Sequence, residues 1–203
     1  MRTLKKLIKA GLWLVAAIIT LPLALWVRLW SLRGGDMVFQ FASQFMSLFP
    51  GVSGVWLRQA FYFMVVDAPW PGPRISFGTL LAQRKTSFGR GVYVGAACNL
   101  GSCHIGDHTL IGSGVHVASA RAHEYEDASK PIDDQGGAIR KVMIGADCWV
   151  GNAAVILADV ADGVVVGAGS VVVKPCAKYG VYVGNPARLI KTRTHGMGFR
   201  PHA

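Results

Sequence analysis

The stretch from Leu100 to Val117, LGSCHIGDHTLIGSGVHV, decides the fold. In it Leu100, Ile105, Ile111 and Val117 are large aliphatics spaced 5, 6 and 6 residues apart, and Gly directly follows the first three. A helix would repeat its apolar positions every three to four residues, and a half-buried strand every second residue. An interval near six suits neither. It fits short strands joined by tight Gly-bearing corners, each aliphatic pointing inward and stacking on its equivalent one coil away.

The rhythm extends in both directions. Ile75, Leu81, Phe88 and Val94 precede the stretch, and Ile144, Val150, Ile156, Val166 and Val172 follow it. Gly directly follows eight of these thirteen anchors. Two steps break the rhythm. The 27-residue step from Val117 to Ile144 leaves room for an inserted loop at 118–143, and the 10-residue step from Ile156 to Val166 predicts one irregular coil.

The units Ile105-Gly-Asp-His-Thr-Leu110, Ile111-Gly-Ser-Gly-Val-His116, Ile144-Gly-Ala-Asp-Cys-Trp149 and Val150-Gly-Asn-Ala-Ala-Val155 agree in phase. With Gly167-Ala-Gly-Ser-Val-Val-Val-Lys174 and Gly184-Asn-Pro-Ala-Arg188, they resemble the repeat of hexapeptide acyltransferases, in particular the galactoside, maltose and polysaccharide O-acetyltransferase branch. The resemblance spans about 75–193. It implies a mainly β fold, a left-handed parallel β-helix with three hexapeptides per coil, which assembles as a homotrimer. It also implies acetyl-CoA as acyl donor and no resident metal. The hand runs against the usual right-handed rule for parallel crossovers, so it rests on the resemblance alone.

Before the repeats the grammar is different. Residues 10–27, AGLWLVAAIITLPLALWV, carry no charge over 18 residues, nearly enough for a bilayer core of roughly 30 Å. Basic residues flank this run on both sides (Arg2, Lys5, Lys6 and Lys9 before, Arg28 and Arg33 after), and no small-residue cleavage site follows, so a retained membrane segment is expected rather than a secretory signal. Pro22 suggests a kinked, re-entrant path. Val38, Phe41, Ala42, Phe45, Met46 and Phe49 recur at helical spacing, Pro50-Gly51 breaks the pattern, and a second apolar stretch covers 55–66. A hairpin packed on its own domain and a pair lying on the membrane both satisfy it. The expected organisation is a membrane-associated helical region over 1–73 that meets lipid through residues 10–66, a β-helix over 74–193, and a tail at 194–203.

Composition narrows the partners. Hydrophobic residues make up 52% of the 203-residue chain and charged ones 16%, too apolar for a disordered protein. The net charge of +10 suits an anionic membrane or a phosphate-rich cofactor. Nucleic acid fits poorly, because the basic residues are dispersed and the aromatics concentrate in the apolar N-terminal third. The four cysteines show no metal or disulfide spacing. Cys98, Cys148 and Cys176 each lie four residues past an anchor, where the repeat takes a small side chain; Cys103 is off that position.

The resemblance also distributes roles. Val117-Ala-Ser-Ala-Arg-Ala-His123, leading into the inserted loop, matches the stretch that bears the family's catalytic His, so His123 is the candidate general base. Imidazole titrates near neutrality, as removal of an acceptor hydroxyl proton requires. His116 is the reserve candidate. Glu124 is a candidate to orient the imidazole or meet the substrate, as Glu126 is, and Asn99 is a candidate acceptor contact whose alternative is a coil cap. Gly151, Ala168 and Gly169 keep a surface flat enough for a pantetheine arm, and Lys174, Arg188 and Lys191 are placed to meet coenzyme A phosphates. The implied reaction is transfer of an acyl group, acetyl first, to a sugar hydroxyl of a surface polysaccharide or its lipid-linked precursor. Acetyl-CoA is cytosolic, which implies a bacterial inner membrane with the catalytic domain on its cytoplasmic side. N-acylation of an amino sugar or nucleotide-sugar is the second reading. A non-enzymatic or carbonic-anhydrase-like β-helix is the third.

Overall fold

The computed structural model describes residues 2–33, 35–118, 121–123 and 126–193, with backbone alone for Arg2, Thr3, Lys5, Arg33 and Arg121–His123. Glu124 and the tail at 194–203 lie outside the described residues. Three helices come first: α1 (Arg2–Trp30), α2 (Met37–Ser47) and α3 (Gly51–Val65). From Arg74 onward the chain winds in coils that lay one short strand on each of three faces in turn.

The first face carries Arg74–Ile75, Tyr93–Val94, Leu110–Ile111, Trp149–Val150, Val165–Val166 and Gly180–Val183, all parallel. The second carries Leu80–Leu81, Asn99–Leu100, His116–Val117, Val155–Ile156 and Val171–Val172, also parallel. Ser87–Phe88, Cys103–Ile105 and Val142–Ile144 form the third. All thirteen aliphatic and Phe anchors are buried, so the six-residue rhythm is the core of the coil. Among the described residues the repeat region is a three-faced parallel coil.

The 10-residue step is one irregular coil, two residues short of the hexad rhythm, as its length predicts. Val160 bridges in parallel to Ile144 on one side and Cys176 on the other, continuing the third face. The third-face segment is shortened so that its inward residue comes four positions after the second-face anchor: Val160 after Ile156, and Cys176 after Val172. This corrects the expectation for Cys176. It is a core residue in line with Ile144 and Val160, whereas Cys98 and Cys148 do sit at the small-residue position. There their thiols approach the carbonyls of Gly112 (3.0 Å) and Ala161 (3.1 Å) on the next coil. Cys103 is buried within its strand.

The glycine after an anchor has a steric cause. At Gly89, Gly112 and Gly145 an added Cβ would lie 2.3, 2.4 and 2.4 Å from a side-chain oxygen of Asp107, Asn152 and Asp162 on the next coil. Those same oxygens accept from backbone N–H groups of Arg90 (2.7 Å), Ser113 (2.9 Å) and Ala146 (3.0 Å). A polar corner side chain thus satisfies a backbone donor that the turn leaves free, and it needs the space a Cβ would fill.

The helices cover the first coil. Ser43 Oγ accepts from Leu81 N (2.8 Å), Ser47 O accepts from Gly78 N (3.0 Å), and Gln40 Nε2 donates to Ala82 O (3.0 Å). Arg58 is fully buried and donates to the carbonyls of Ile75, Met46 and Phe49 at 2.7–3.0 Å. Burial lowers its pKa, and its Nη2 is buried without a hydrogen-bond partner.

The inward side of α2 differs from the apolar stripe. Ser43 and Ser47 face inward with Val38, Phe39, Ala42 and Met46, while Phe41 and Phe45 of the expected stripe point outward. The rings of Trp26, Phe41, Phe45 and Phe49 follow one another in contact along that outer surface. Among its described residues α1 buries the stripe Ala16, Thr20, Ala24 and Val27, and leaves Leu14, Val15, Ile18, Ile19, Leu25 and Leu29 exposed. It is held to α3 by Trp13, whose ring meets Phe63 edge-on, and by Arg28 Nε donating to Met64 O (2.7 Å). α1 runs without a break through Pro22, so the reversal suggested by that proline is absent. By length and composition alone, its Lys6–Trp30 segment can cross a membrane.

Candidate active site

Outward-facing residues stack in columns because neighbouring coils keep Cα register. On the second face the column is Leu80, Asn99, His116, Val155 and Val171. Asn99 and His116 are therefore direct neighbours, about 4.8 Å apart along the coil axis, and both are exposed. Sequence separation hid this. The register sets His116, the reserve candidate for the base, beside Asn99.

The inserted loop leaves the corner after His116–Val117 and returns as Val142–Ile144 on the third face. Within it Arg121–His123 pairs antiparallel with Gly137–Ile139, His123 opposite Gly137. The excursion that carries His123 is thus a hairpin rooted at the edge of the face bearing Asn99 and His116. Its outer part is tied locally: Gln135 bonds the backbone of Asp127 and Lys130, and the Ser129 hydroxyl, then Lys130, hold the Asp127 carboxyl below its ordinary pKa.

A second polar group, unforeseen from the sequence, lies on the third face. Lys141 Nζ donates to Ser87 Oγ (2.8 Å), and Ser87 Oγ is 2.9 Å from His104 Nδ1. Ser87 and His104 each precede an anchor by one residue and are register partners, so their adjacency is readable in the repeat. Lys141, at the end of the insertion, is not. Nearby, a groove of about 560 Å³ is lined by Asp107, Asp159 and Asp162; Asp159 pairs with Arg140 (2.9 Å) and Asp162 with Lys178 (3.0 Å).

The donor-site candidates gather at a different corner. Gly151 follows the first-face strand Trp149–Val150, and an added Cβ there would lie 2.5 Å from Ala168 N, so Gly151 and Ala168 are stacked at one corner. Gly169 adopts φ +65 with open space beside it. Gly184 N donates to Ser170 Oγ (3.1 Å), and Ala187 N donates to Val171 O (2.8 Å). The turn that ends in Arg188 therefore folds over the corner bearing Ala168 and Gly169. Arg188 is exposed at the start of the closing antiparallel strand Arg188–Thr192. Lys191 is three residues along that strand, opposite Val181, and Lys174 follows the second-face strand at its other edge. Of the three basic candidates, Arg188 directly ends the turn whose backbone bonds Ser170 and Val171, next to Ala168 and Gly169 in the chain.

The cysteines are poor nucleophiles. Burial pushes the thiol of Cys103 up to about 12 and that of Cys176 up to about 11. Among the described residues no group of three or more His, Cys, Asp or Glu side chains is arranged to hold a metal ion.

No protein-family model matches the chain. A probable acetyltransferase of Mycobacterium tuberculosis is 33% identical over 91 residues, which is 44% of this chain and 30% of that protein. The chain thus spans less than a third of that relative's length. A maltose O-acetyltransferase from Clostridium difficile superposes with a TM-score of 0.68 at 21% identity, over 77% of this chain and 86% of that one. A hexapeptide-repeat acetyltransferase from Vibrio cholerae, solved with acetyl coenzyme A, gives a TM-score of 0.54 at 20% identity over 66% and 75%. By its register and by these likenesses, the chain has the coiled fold of hexapeptide-repeat acetyltransferases.

Proposed function

We propose that this protein is a membrane-attached, acetyl-CoA-dependent O-acyltransferase that acetylates a sugar hydroxyl of a surface polysaccharide or its lipid-linked precursor. The observation that carries this reading is the pair of sites at the two edges of one face. Gly151, Ala168, Gly169 and Arg188 make a flat corner with a cation at its end, and the opposite edge roots the hairpin bearing His123 beside the Asn99–His116 pair. In one chain the two edges lie a face apart. A left-handed coil assembled as a homotrimer brings the donor corner of one copy to the hairpin of the next, as in the fold's sugar acetyltransferases.

In this reaction His123 takes the proton of the acceptor hydroxyl as its oxygen attacks the thioester carbonyl carbon. The tetrahedral adduct then expels the coenzyme A thiolate, which recovers that proton as the free thiol. Asn99 orients the acceptor, Glu124 steadies the imidazole, the backbone at Gly151, Ala168 and Gly169 receives the pantetheine amides, and Arg188 meets phosphate, with Lys174 and Lys191 adding charge to the approach. No metal and no nucleic acid take part. The outward aromatic row on α2 and the exposed aliphatic surface of α1 support attachment to the inner face of a bacterial inner membrane, with the coil in the cytoplasm where acetyl-CoA resides.

The test is turnover of the purified full chain, read as coenzyme A thiol released with sugar acceptors. His123→Ala is expected to lower it roughly 10²–10⁴-fold while coenzyme A binding persists. Turnover near that of the unmodified chain would remove His123 from the role. An unchanged acetyl content of surface glycan after deletion of the gene would remove the acceptor class.

A further inference from the structure

Between the N-terminal half of α1 and the start of α3 lies a cavity of about 770 Å³, within the usual size for a site that holds one organic ligand. Its lining brings Trp13, Trp56 and Trp70 together with Lys6, Lys9 and Arg74, and among the described residues no Asp or Glu lines it. The pocket is built rather than incidental. Trp13 Nε1 donates to Pro71 O (2.9 Å), and the Trp13 ring meets Trp70 and Phe63 edge-on, which ties helix, linker and α3 together around the space. Leu7 and Ala10 of α1 form the wall toward its exposed apolar side, so the space borders the surface proposed above to meet lipid. Indole rings and three cations sharing one lining, with no acid among the described residues there, match one chemistry, an apolar chain ending in an anion at the membrane interface.

We infer that this pocket binds a polyprenyl phosphate or pyrophosphate, the lipid carrier of the acceptor glycan, with its chain against Trp13, Trp56 and Trp70 and its phosphate among Lys6, Lys9 and Arg74. The inference rests on the glycan-acetylating function proposed above and names the form in which the acceptor arrives. Arg74 links pocket to coil. It opens the first-face strand opposite Tyr93, over whose ring its guanidinium lies at 5.8 Å, so a headgroup held there begins at the outer surface of the coil. A diffuse membrane contact would need only a basic stripe. A pocket lined by both tryptophans and cations favours a single lipid that has both an apolar chain and an anionic head.

The experiment titrates the full chain, in neutral detergent micelles, with a polyprenyl monophosphate, the uncharged polyprenol and phosphatidylglycerol, following tryptophan fluorescence and bound lipid by native mass spectrometry. The monophosphate is expected to bind at least tenfold more tightly than the other two. Lys6→Gln/Lys9→Gln/Arg74→Gln should lose at least tenfold of that preference, and Arg74→Lys in the Lys6/Lys9 background should retain it, with coenzyme A binding unchanged throughout. Equal binding of polyprenol, or a triple variant that binds the phosphate unchanged, overturns the inference. Equal binding of phosphatidylglycerol overturns it too, in favour of a general anionic-lipid surface. Because lipid binding is read without turnover, its failure is separate from failure of the acetyl-transfer reading, which water-soluble sugar acceptors test.

Discussion

At the residue scale, charge and burial separate residues that the sequence lists side by side. Arg188, set apart from Lys174 and Lys191 in the sequence by the Gly184-Asn-Pro-Ala-Arg188 stretch, ends the turn whose backbone bonds Ser170 and Val171, just past Ala168 and Gly169. Arg188→Ala is expected to weaken coenzyme A roughly tenfold by removing a charge-assisted contact, and to weaken the 3′-dephospho analogue less; calorimetric titration of both ligands checks it. Equal losses would move Arg188 to the pyrophosphate. The thiols give a pH prediction. Cys103 is held up to about 12 in the fold against an ordinary 9.0, so the unfolded chain releases its proton first as pH rises. The stability this thiol contributes is whole below pH 9.0 and is lost progressively from there toward about 12. Cys103→Ala should therefore lower the melting temperature at neutral pH, through the cavity it leaves, but flatten its fall between pH 9.0 and about 11. An equally steep alkaline fall in the variant would show that other groups govern it.

Elements show how far the sequence could be read. The thirteen anchors were legible because a buried inward position tolerates only a large apolar side chain, and the coil repeats that demand at fixed spacing. Val160 and Cys176 were not, since a shortened third-face segment puts the inward residue at the spacing where the longer segments place a small one. The face of α2 was misread for a different reason. Periodicity finds an apolar stripe but does not say whether protein or lipid lies against it, and here Ser43 and Ser47 turn inward to bond the first coil. The Ser87–His104 pair was legible in principle from register, while Asn99 beside His116 needed the coil count to be right. The loop of His123 lay beyond any repeat, and only the resemblance singled that residue out. The corner rule yields its own prediction. Gly112→Ala would set a Cβ 2.4 Å from Asn152 Oδ1 and 2.7 Å from Asn152 N, and is expected to cost about 1–3 kcal/mol, seen as a lower denaturation midpoint. Gly11 in α1, with nothing within 4 Å and no positive φ, is the control, and Ala there is expected to cost nothing.

At the scale of the whole molecule, the helical third has two unlike sides. One bonds the coil through Ser43, Gln40 and Arg58; the other presents Trp26, Phe41 and Phe45 with the exposed aliphatics of α1. An apolar outer surface of that kind marks a contact with lipid or another protein. Phe41→Gln/Phe45→Gln should shift the protein from the membrane fraction toward the supernatant on flotation with anionic vesicles, with coenzyme A binding unchanged. Retention on the vesicles at the original level would assign attachment to α1 alone.

The capped ends of the coil have a further consequence. A stack of parallel strands offers unpaired backbone groups at both rims and is a template for adding more of the same. Here the lower rim is plugged by Leu81 N on Ser43, Gly78 N on Ser47 and Ile75 O on Arg58, and the upper rim is closed by Arg188–Thr192 running against Gly180–Val183. Neither plug depends on how many turns lie between them, because each turn touches only its neighbours. The height of the prism is therefore an evolutionary variable independent of its ends. Whole turns can be duplicated or deleted in the middle of the gene, changing the height between the helical cap and the closing hairpin while both ends stay as they are.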